Sequence, residues 1–229
     1  MTRAARPSAV LFDLDGTLLD TAPDMVPALN ELLAEESRAP LAYVGARSQV
    51  SNGVPGLLRL AFGALAEEPH ERLRTRYLQL YGRRLAEETR LFAGMAQVLQ
   101  WLEARQIPWG VVTNKPAALT EPLLGQLDLH ARCACVVSGD TVARRKPDPL
   151  PLVHALGIIG VPPSTAIYVG DAARDITAGR AAGMRTVAAL YGYIPAGEDP
   201  QAWGADHDIR HPLELLELLD PARDASGIS

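Results

Sequence analysis

The sequence is most informative in what it lacks. Positive charge comes almost entirely from arginine, since only Lys115 and Lys146 are lysines among the 22 lysine and arginine residues. Arginine is a flat and rigid fork, whereas lysine carries a compact point charge that can reach into a tight anionic site. The two lysines are therefore candidates for chemistry before any motif is considered.

The chain also lacks the features of several other classes of protein. Its 229 residues carry a formal net charge of −5, which argues against a nucleic-acid or anionic-membrane partner, because such partners need a basic surface. It contains no run of about 18 apolar residues. Residues 1–8 lack the apolar stretch of a signal peptide. These absences predict a cytoplasmic protein. Either a monomer or a homodimer is expected, since the sequence does not specify the oligomeric state.

Cysteine is scarce as well. Cys133 and Cys135 are separated by one alanine in an apolar stretch, with no second cysteine or histidine pair at zinc spacing. We expect reduced, structural thiols. Redox chemistry or adventitious metal binding is the alternative.

Short apolar runs alternate with helical patterns along much of the chain. Such alternation predicts a doubly wound parallel sheet of the α/β class. The predicted strands are 9–12, 109–113, 134–138, 166–170 and 186–190, and helical stripes cover 95–102, 117–127 and 175–182. Between about 21 and 88 only helical patterns occur, with a turn at 51–56, which predicts an all-helical insert after the first strand.

Polar side chains follow four of the five predicted strands. Because the carboxyl ends of parallel strands lie at one edge of a sheet, these side chains are expected to share one crevice. They are Asp13 and Asp15 after the first strand, Thr113, Asn114 and Lys115 after the second, Lys146 after the third, and Asp171 and Asp175 after the fourth.

The carboxylates in this crevice need a counter-charge. Two of them about 4 Å apart repel by roughly 4 kcal/mol at an effective dielectric constant of about 20. Mg²⁺, which binds a few carboxylates and leaves room for a substrate phosphate, would supply that charge. An aspartate can also attack a phosphoryl group, while a neighbouring carboxyl group exchanges protons with the leaving oxygen and with water. Asp13 and Asp15 can divide these two tasks.

Four segments resemble the four motifs of the haloacid dehalogenase superfamily of phosphatases, in order and spacing over nearly the whole chain. They are residues 13–20, 112–115, 146–147 and 170–175. The insert lies at the position of that superfamily's type one cap. The resemblance implies a Rossmann-like core of residues 1–20 and 90–229, with a helical cap at 21–89. Hinges are expected near Thr21 and Arg90.

The resemblance also implies roles for individual residues. Asp13 would be the nucleophile, Asp15 the general acid and base, Lys146 the bridge between nucleophile and phosphate, and Mg²⁺ the cofactor. The implied phosphate-binding residues are Thr113, Asn114, Lys146 and Gly16, and the implied metal-binding residues are Asp13, Asp15, Asp171 and, often through water, Asp175. In the insert, Arg47, Ser51, Asn52 and Gly53 are expected to face the substrate. Ala172 departs from the Asp, Ser or Thr that such proteins commonly carry, which leaves the hydrogen bonding of the fourth motif open.

These features predict a Mg²⁺-dependent phosphomonoester hydrolase that acts through an aspartyl phosphate on a small phosphorylated metabolite. Residues 21–24, 112–116 and 146–149 resemble bacterial phosphoglycolate phosphatases, which favours 2-phosphoglycolate as substrate. The segments 191–194 and 203–215 are more similar to a subgroup that includes N-acetylmuramic acid 6-phosphate phosphatases. A sugar phosphomutase and a non-catalytic phosphate-binding protein are the remaining alternatives.

Three residue assignments have plainer alternatives. Asp20 is expected to cap the first helix of the insert. Lys146 could instead belong to a solvated basic patch with Arg144 and Arg145. Lys115 could be functional or simply part of the surface.

Overall fold

A computed structural model describes residues 6–220 of the chain. The strands are β1 Ala9–Phe12, β2 Leu19–Asp20, β3 Arg90–Leu91, β4 Trp109–Val112, β5 Cys135–Val137, β6 Ala166–Gly170, β7 Arg185–Ala189 and β8 His207–Ile209. Six of them form a parallel sheet in the order β5-β4-β1-β6-β7-β8, and β2 pairs with β3 in a small antiparallel sheet. The helices are α1 Ala22–Glu35, α2 Tyr43–Arg47, α3 Gly53–Phe62, α4 Glu67–Arg83, α5 Met95–Ala104, α6 Ala117–Gln126, α7 Leu150–Ile159, α8 Ala173–Ala181 and α9 Leu215–Leu219.

Both faces of the large sheet are covered, which explains why its strands are continuous apolar runs. Alternate residues of β1 belong to different hydrophobic clusters. Val10 and Phe12 pack with side chains of α1, α5, α6 and α9. Ala9 and Leu11 pack on the other face with side chains of α7 and α8. The predicted doubly wound α/β class is therefore confirmed.

Helices α1 to α4 lie between β2 and β3. The two strands pair Leu19 with Leu91 and Asp20 with Arg90. The segment that leads into these helices therefore lies beside the segment that leads out of them. α1 begins at Ala22, so that Pro23 falls in its first turn, where its missing N–H removes no helical hydrogen bond. α1 and α4 pack together through buried apolar side chains.

The structure differs from the sequence predictions at several places. β2, β3 and β8 were not predicted, because two or three residues are too few to show an alternating pattern. The predicted turn at 51–56 extends too far along the chain. A short 3-10 helix occupies Val50–Asn52, and α3 already begins at Gly53. Asp20 does not cap α1: Thr21 precedes the helix, and Asp20 Oδ1 accepts a hydrogen bond from the Tyr193 hydroxyl at 2.6 Å.

The two cysteines carry free thiols, as expected for structural residues. Burial raises the pKa of Cys135 to about 12, so its thiol stays protonated at neutral pH. Within residues 6–220 no helix is both long enough and apolar enough to cross a membrane.

Candidate active site

The carboxyl ends of β1, β4 and β6 bring the predicted polar residues together around Lys146. Its Nζ atom lies 2.9 Å from Asp13 Oδ1 and 2.7 Å from Asp175 Oδ1. It also lies 2.9 Å from the main-chain oxygen of Val112 and 2.7 Å from the Tyr168 hydroxyl. The Lys146 side chain is fully buried. It is therefore no member of a solvated patch, and its charge is held at a fixed point beside two aspartates.

Asn114 fixes the main chain of Lys146. Its Oδ1 accepts from Lys146 N at 3.1 Å, and its Nδ2 donates to Lys146 O at 3.0 Å. Both ends of the Asn114 amide are thus engaged by the loop that follows β5. The hydroxyl of the neighbouring Thr113 accepts from Lys115 N at 3.2 Å, which leaves its own hydrogen free to point at a phosphate.

Asp13, Asp171 and Asp175 form a buried acidic cluster. One carboxylate oxygen from each lies within 4.8 Å of the others. Burial, and then the charges of Asp13 and Asp175, raise the pKa of Asp171 to about 7. Burial also raises the pKa of Asp175, although Lys146 opposes the shift. A cluster in which like charges disfavour ionisation fits a divalent cation, because the cation reverses that repulsion.

The residues around Asp171 hold its carboxylate in a fixed position, as a cation ligand requires. Asp171 accepts hydrogen bonds from the Thr17 hydroxyl at 3.1 Å, from Tyr193 N at 2.8 Å and from the Ser51 hydroxyl. Gly16 and Gly192 pack so closely against it that a Cβ atom on either would collide with Asp171. Gly16 also has φ of +88°, a conformation that favours glycine. In this structure Gly16 thus makes room for the Asp171 carboxylate.

Ala172, the residue before α8, has no side-chain oxygen, but its main chain still contacts Asp175. Asp175 Oδ2 accepts from Ala172 N at 3.1 Å. This bond holds Asp175 against the start of α8, where a carboxylate also interacts favourably with the helix dipole. The departure at position 172 therefore leaves Asp175 oriented.

Asp15 presents two different groups to its surroundings. Its carboxylate lies outside the acidic cluster and pairs with Lys115 Nζ at 3.0 and 3.3 Å. Its main-chain oxygen lies 3.4 Å from the Ser51 hydroxyl, which also contacts Asp171. In this arrangement the predicted metal contact of Asp15 can be made by the main-chain oxygen, while the carboxylate is left for proton transfer.

A cavity of about 250 Å³ opens beside these residues. Its wall combines Asp13, Asp15 and Thr113 to Pro116 from the core with side chains from α1, α3 and α4. Of the residues expected to face the substrate, Ser51, Asn52 and Gly53 line this cavity. Arg47 does not: its guanidinium lies 4.6 Å from the centre of the Tyr193 ring and lines a separate cavity near Asp20.

Three arginines line the cavity that the sequence analysis did not assign to the site, namely Arg74, Arg145 and Arg174. Arg174 donates to the main-chain oxygen of Ser51 and faces the acidic cluster. Burial works to lower its pKa, but Asp175, Asp13 and Asp171 raise it above the ordinary value. Arg145 is exposed, as expected, and its Nε donates to Gly139 O at 2.7 Å. Since arginine supplies nearly every cation of this chain, no compositional signal singles these three out.

A buried cluster of three carboxylates, a buried lysine beside it and a further aspartate at the strand ends of a doubly wound sheet are typical of a phosphoryl-transfer enzyme. Comparison with known proteins narrows this class. Residues 10–189 match the haloacid dehalogenase-like hydrolase family. The chain belongs to this family and is one of its phosphatases.

The related proteins fall into two groups by name. A phosphoglycolate phosphatase of Xanthomonas campestris pv. campestris (strain 8004) is 46% identical over 92% of this chain and 96% of the relative. An N-acetylmuramic acid 6-phosphate phosphatase of Pseudomonas putida (strain KT2440) is 43% identical over 93% of this chain and 96% of the relative. The crystal structure of a predicted phosphoglycolate phosphatase from Haemophilus somnus 129PT shares the fold, with a TM-score of 0.84 at 24% identity over 95% of this chain and all of that one.

Proposed function

We propose that this chain is a Mg²⁺-dependent phosphomonoester hydrolase that transfers a phosphoryl group from a small metabolite first to Asp13 and then to water. The observation that carries the proposal is the position of Lys146 Nζ, within 3 Å of both Asp13 and Asp175. Through Lys146 the proposed nucleophile, Asp13, is held beside Asp175 of the same acidic cluster. Asp13 Oδ1 also accepts from Leu14 N at 2.7 Å, so two donors fix the orientation of the nucleophilic carboxylate.

Each step has a residue suited to it. Asp13 attacks the phosphorus atom, and the Asp15 carboxyl group gives its proton to the departing oxygen. Asp15 then takes a proton from the water molecule that attacks the aspartyl phosphate. Asp13, Asp171, Asp175 and the main-chain oxygen of Asp15 would hold Mg²⁺, whose charge, when bound, would neutralise the oxygens of the transferred group. Lys146 would add a second positive charge at the same group.

We further propose that residues 21–89 act as a cap over this site, hinged where β2 and β3 pair. Contacts between the insert and the core support this proposal, because Ser51 of the insert bonds Asp171 and Arg174 of the core bonds the main chain of Ser51. With these contacts made, the cap shields the reacting groups from bulk water. Substrate entry would require them to open.

For the substrate we propose 2-phosphoglycolate first. Four cations line the cavity, namely Arg74, Lys115, Arg145 and Arg174, against two carboxylates, Asp13 and Asp15. This excess suits a leaving group that carries an anion of its own, because a carboxylate prefers the planar fork of arginine. Arg74 lies on the cap helix α4 and is the arginine we assign to that carboxylate.

N-acetylmuramic acid 6-phosphate is a second candidate, favoured by the apolar part of the same wall. A two-carbon leaving group leaves this surface without a partner, whereas an acylated amino sugar would cover it and still bring a carboxylate. The apolar residues are Met25, Val54, Pro55, Leu78 and Leu119.

A phosphate-release screen in the presence of Mg²⁺ tests the proposal. It compares 2-phosphoglycolate, N-acetylmuramic acid 6-phosphate, hexose 1- and 6-phosphates and nucleotides by kcat/KM, with Asp13→Asn protein as the background control. We expect one of the two carboxylate-bearing esters to rank first. Preference for a nucleotide or a neutral hexose phosphate would contradict the substrate assignment. Conversion of a hexose 1-phosphate into its isomer, with no phosphate released, would replace the hydrolase by a phosphomutase.

A further inference from the structure

The other lysine, Lys115, lies where the sheet meets the helical insert. Its Nζ atom is 3.0 and 3.3 Å from the two carboxylate oxygens of Asp15 and 2.9 Å from the hydroxyl of Tyr81 on α4. Only 4% of the Lys115 side chain is exposed. A lysine that is this deeply buried needs a partner for each of its hydrogens, because water cannot supply one.

Two groups near the ammonium group belong to the insert, namely Tyr81 and Met25. Nζ lies 4.5 Å from the centre of the Tyr81 ring, and the sulfur of Met25 on α1 is 3.9 Å away. Burial, and then the charges of Asp15 and Asp24, raise the pKa of Tyr81 well above its ordinary value. Its hydroxyl therefore stays protonated and receives the hydrogen of the lysine. The position of the ammonium group depends on where α1 and α4 sit.

We propose that Lys115 and Tyr81 are positioning residues, which couple the seating of the helical insert to the orientation of the Asp15 carboxylate. This inference rests on the proposed function, in which Asp15 protonates the leaving oxygen. With the insert seated, Tyr81 holds the ammonium group, and the ammonium group holds Asp15 toward the cavity. With the insert displaced, the ammonium group loses Tyr81 and Met25 together, and Asp15 loses its fixed partner. The proton donor is thus set in place only once the substrate is enclosed.

Tyr77 provides a matched control on the same helix. It lies one turn before Tyr81, is fully buried, and its ring stacks on that of Tyr81 with centroids 6.2 Å apart. Its hydroxyl donates to Met25 O at 3.1 Å, a contact inside the insert. Tyr77→Phe and Tyr81→Phe therefore each remove one buried hydroxyl from α4, but only the second removes a contact with Lys115.

The experiment measures kcat and KM of the full chain with Mg²⁺ for both variants and for the unmodified protein. It uses the best alkyl phosphate from the screen and 4-nitrophenyl phosphate, whose leaving group needs no proton. For Tyr81→Phe we expect kcat on the alkyl ester to fall about tenfold, with KM within about twofold. The fall in kcat/KM, which covers only the steps up to loss of the leaving group, should be much smaller on the nitrophenyl ester, because Asp15 acts on both esters alike in the later attack of water. Tyr77→Phe should keep both kcat values. In an Asp15→Asn background, Tyr81→Phe should have no further effect on kcat.

The outcomes separate the inference from the proposed function. A raised KM at unchanged kcat would make Tyr81 a substrate contact and overturn the inference. Equal losses of kcat for the two tyrosine variants, or equal losses of kcat/KM by Tyr81→Phe on both esters, would reduce Lys115 and Tyr81 to structural residues. A further fall in the Asp15→Asn background would show that Tyr81 does not act through Asp15. Unmodified protein that releases no phosphate from any ester would instead remove the proposed function.

Discussion

Lys146 at the strand ends and Arg76 on α4 both make short ion pairs, but in opposite surroundings. Lys146 has no exposed side-chain surface, and its partner Asp13 has only 4%. Arg76 and its partner Glu35 are 32% and 36% exposed, with a 2.8 Å bond between Nε and Oε2. Water and dissolved ions screen the second pair and hardly reach the first. A short distance therefore says little by itself, and the consequence of a substitution should follow burial.

Removal of the cation should have the largest effect on the strand-end region. We expect chelation of Mg²⁺ or the Asp171→Asn substitution to abolish turnover, because the substrate phosphate would then face the buried carboxylates of this cluster without a divalent cation between them. Mg²⁺ at about 100 times its Kd should stabilise the unmodified protein by about 2.7 kcal/mol. Thermal unfolding with and without Mg²⁺ should show this gain and its loss in Asp171→Asn. Full activity after exhaustive chelation would contradict the cation site.

The shape of the Lys146 side chain should have the next largest effect. Lys146→Ala is expected to lower kcat by about 10²–10³-fold, as removal of one positioned charge does at other transition states. Lys146→Arg should not restore it, because the wide guanidinium cannot take the place of a point charge beside Asp13 and Asp175. Arg144→Ala is the control, since Arg144 is exposed and pairs with Asp148 at 3.0 Å. Near-normal kcat in Lys146→Arg would contradict this, and would show that burial of the positive charge matters and the shape of the side chain does not.

Arg74 of the insert should affect substrate selection more than chemistry. Arg74→Ala is expected to raise KM roughly tenfold for the preferred carboxylate-bearing ester, the cost of one charged hydrogen bond, and to leave kcat nearly unchanged. KM for 4-nitrophenyl phosphate, which has no carboxylate, should not change. Equal increases for both esters would show that Arg74 contacts the phosphate and not the leaving group.

The outer surface of the insert should give the smallest response. Arg76→Ala removes the exposed pair with Glu35 and is expected to shift Tm by no more than about 2 °C, with unchanged kcat and KM. Thermal unfolding at low and at high salt would measure it. A loss of several degrees that disappears at high salt would show that this pair stabilises the insert despite its exposure.

The two regions also differ in how far the sequence predicts them. Asp13 and Asp171 stand directly after apolar runs, so strand topology alone brings them to one edge of the sheet. Lys146 lies on the connection after the third predicted strand and was singled out because lysine is rare in this chain and a proline follows it. Arg74 and Tyr81 of the insert enter the site through the docking of α4 onto the core, and no spacing in the sequence encodes that docking. Ser51 was expected to face the substrate and lines the cavity, but its hydrogen bond to Asp171 was not predicted. Arg47 shows the converse error, because its place near Ser51 in sequence did not bring it into the same cavity.

The central claim is that Asp13 carries the phosphoryl group. Acid quenching during turnover, followed by mass spectrometry of the Asp13-containing peptide, tests it most directly. We expect a fraction of that peptide to gain the mass of one phosphoryl group in the unmodified protein with Mg²⁺ and substrate, and none to gain it in Asp13→Asn, which should also release no phosphate. Phosphate release by Asp13→Asn protein, checked by mass to be free of deamidation, would contradict the account.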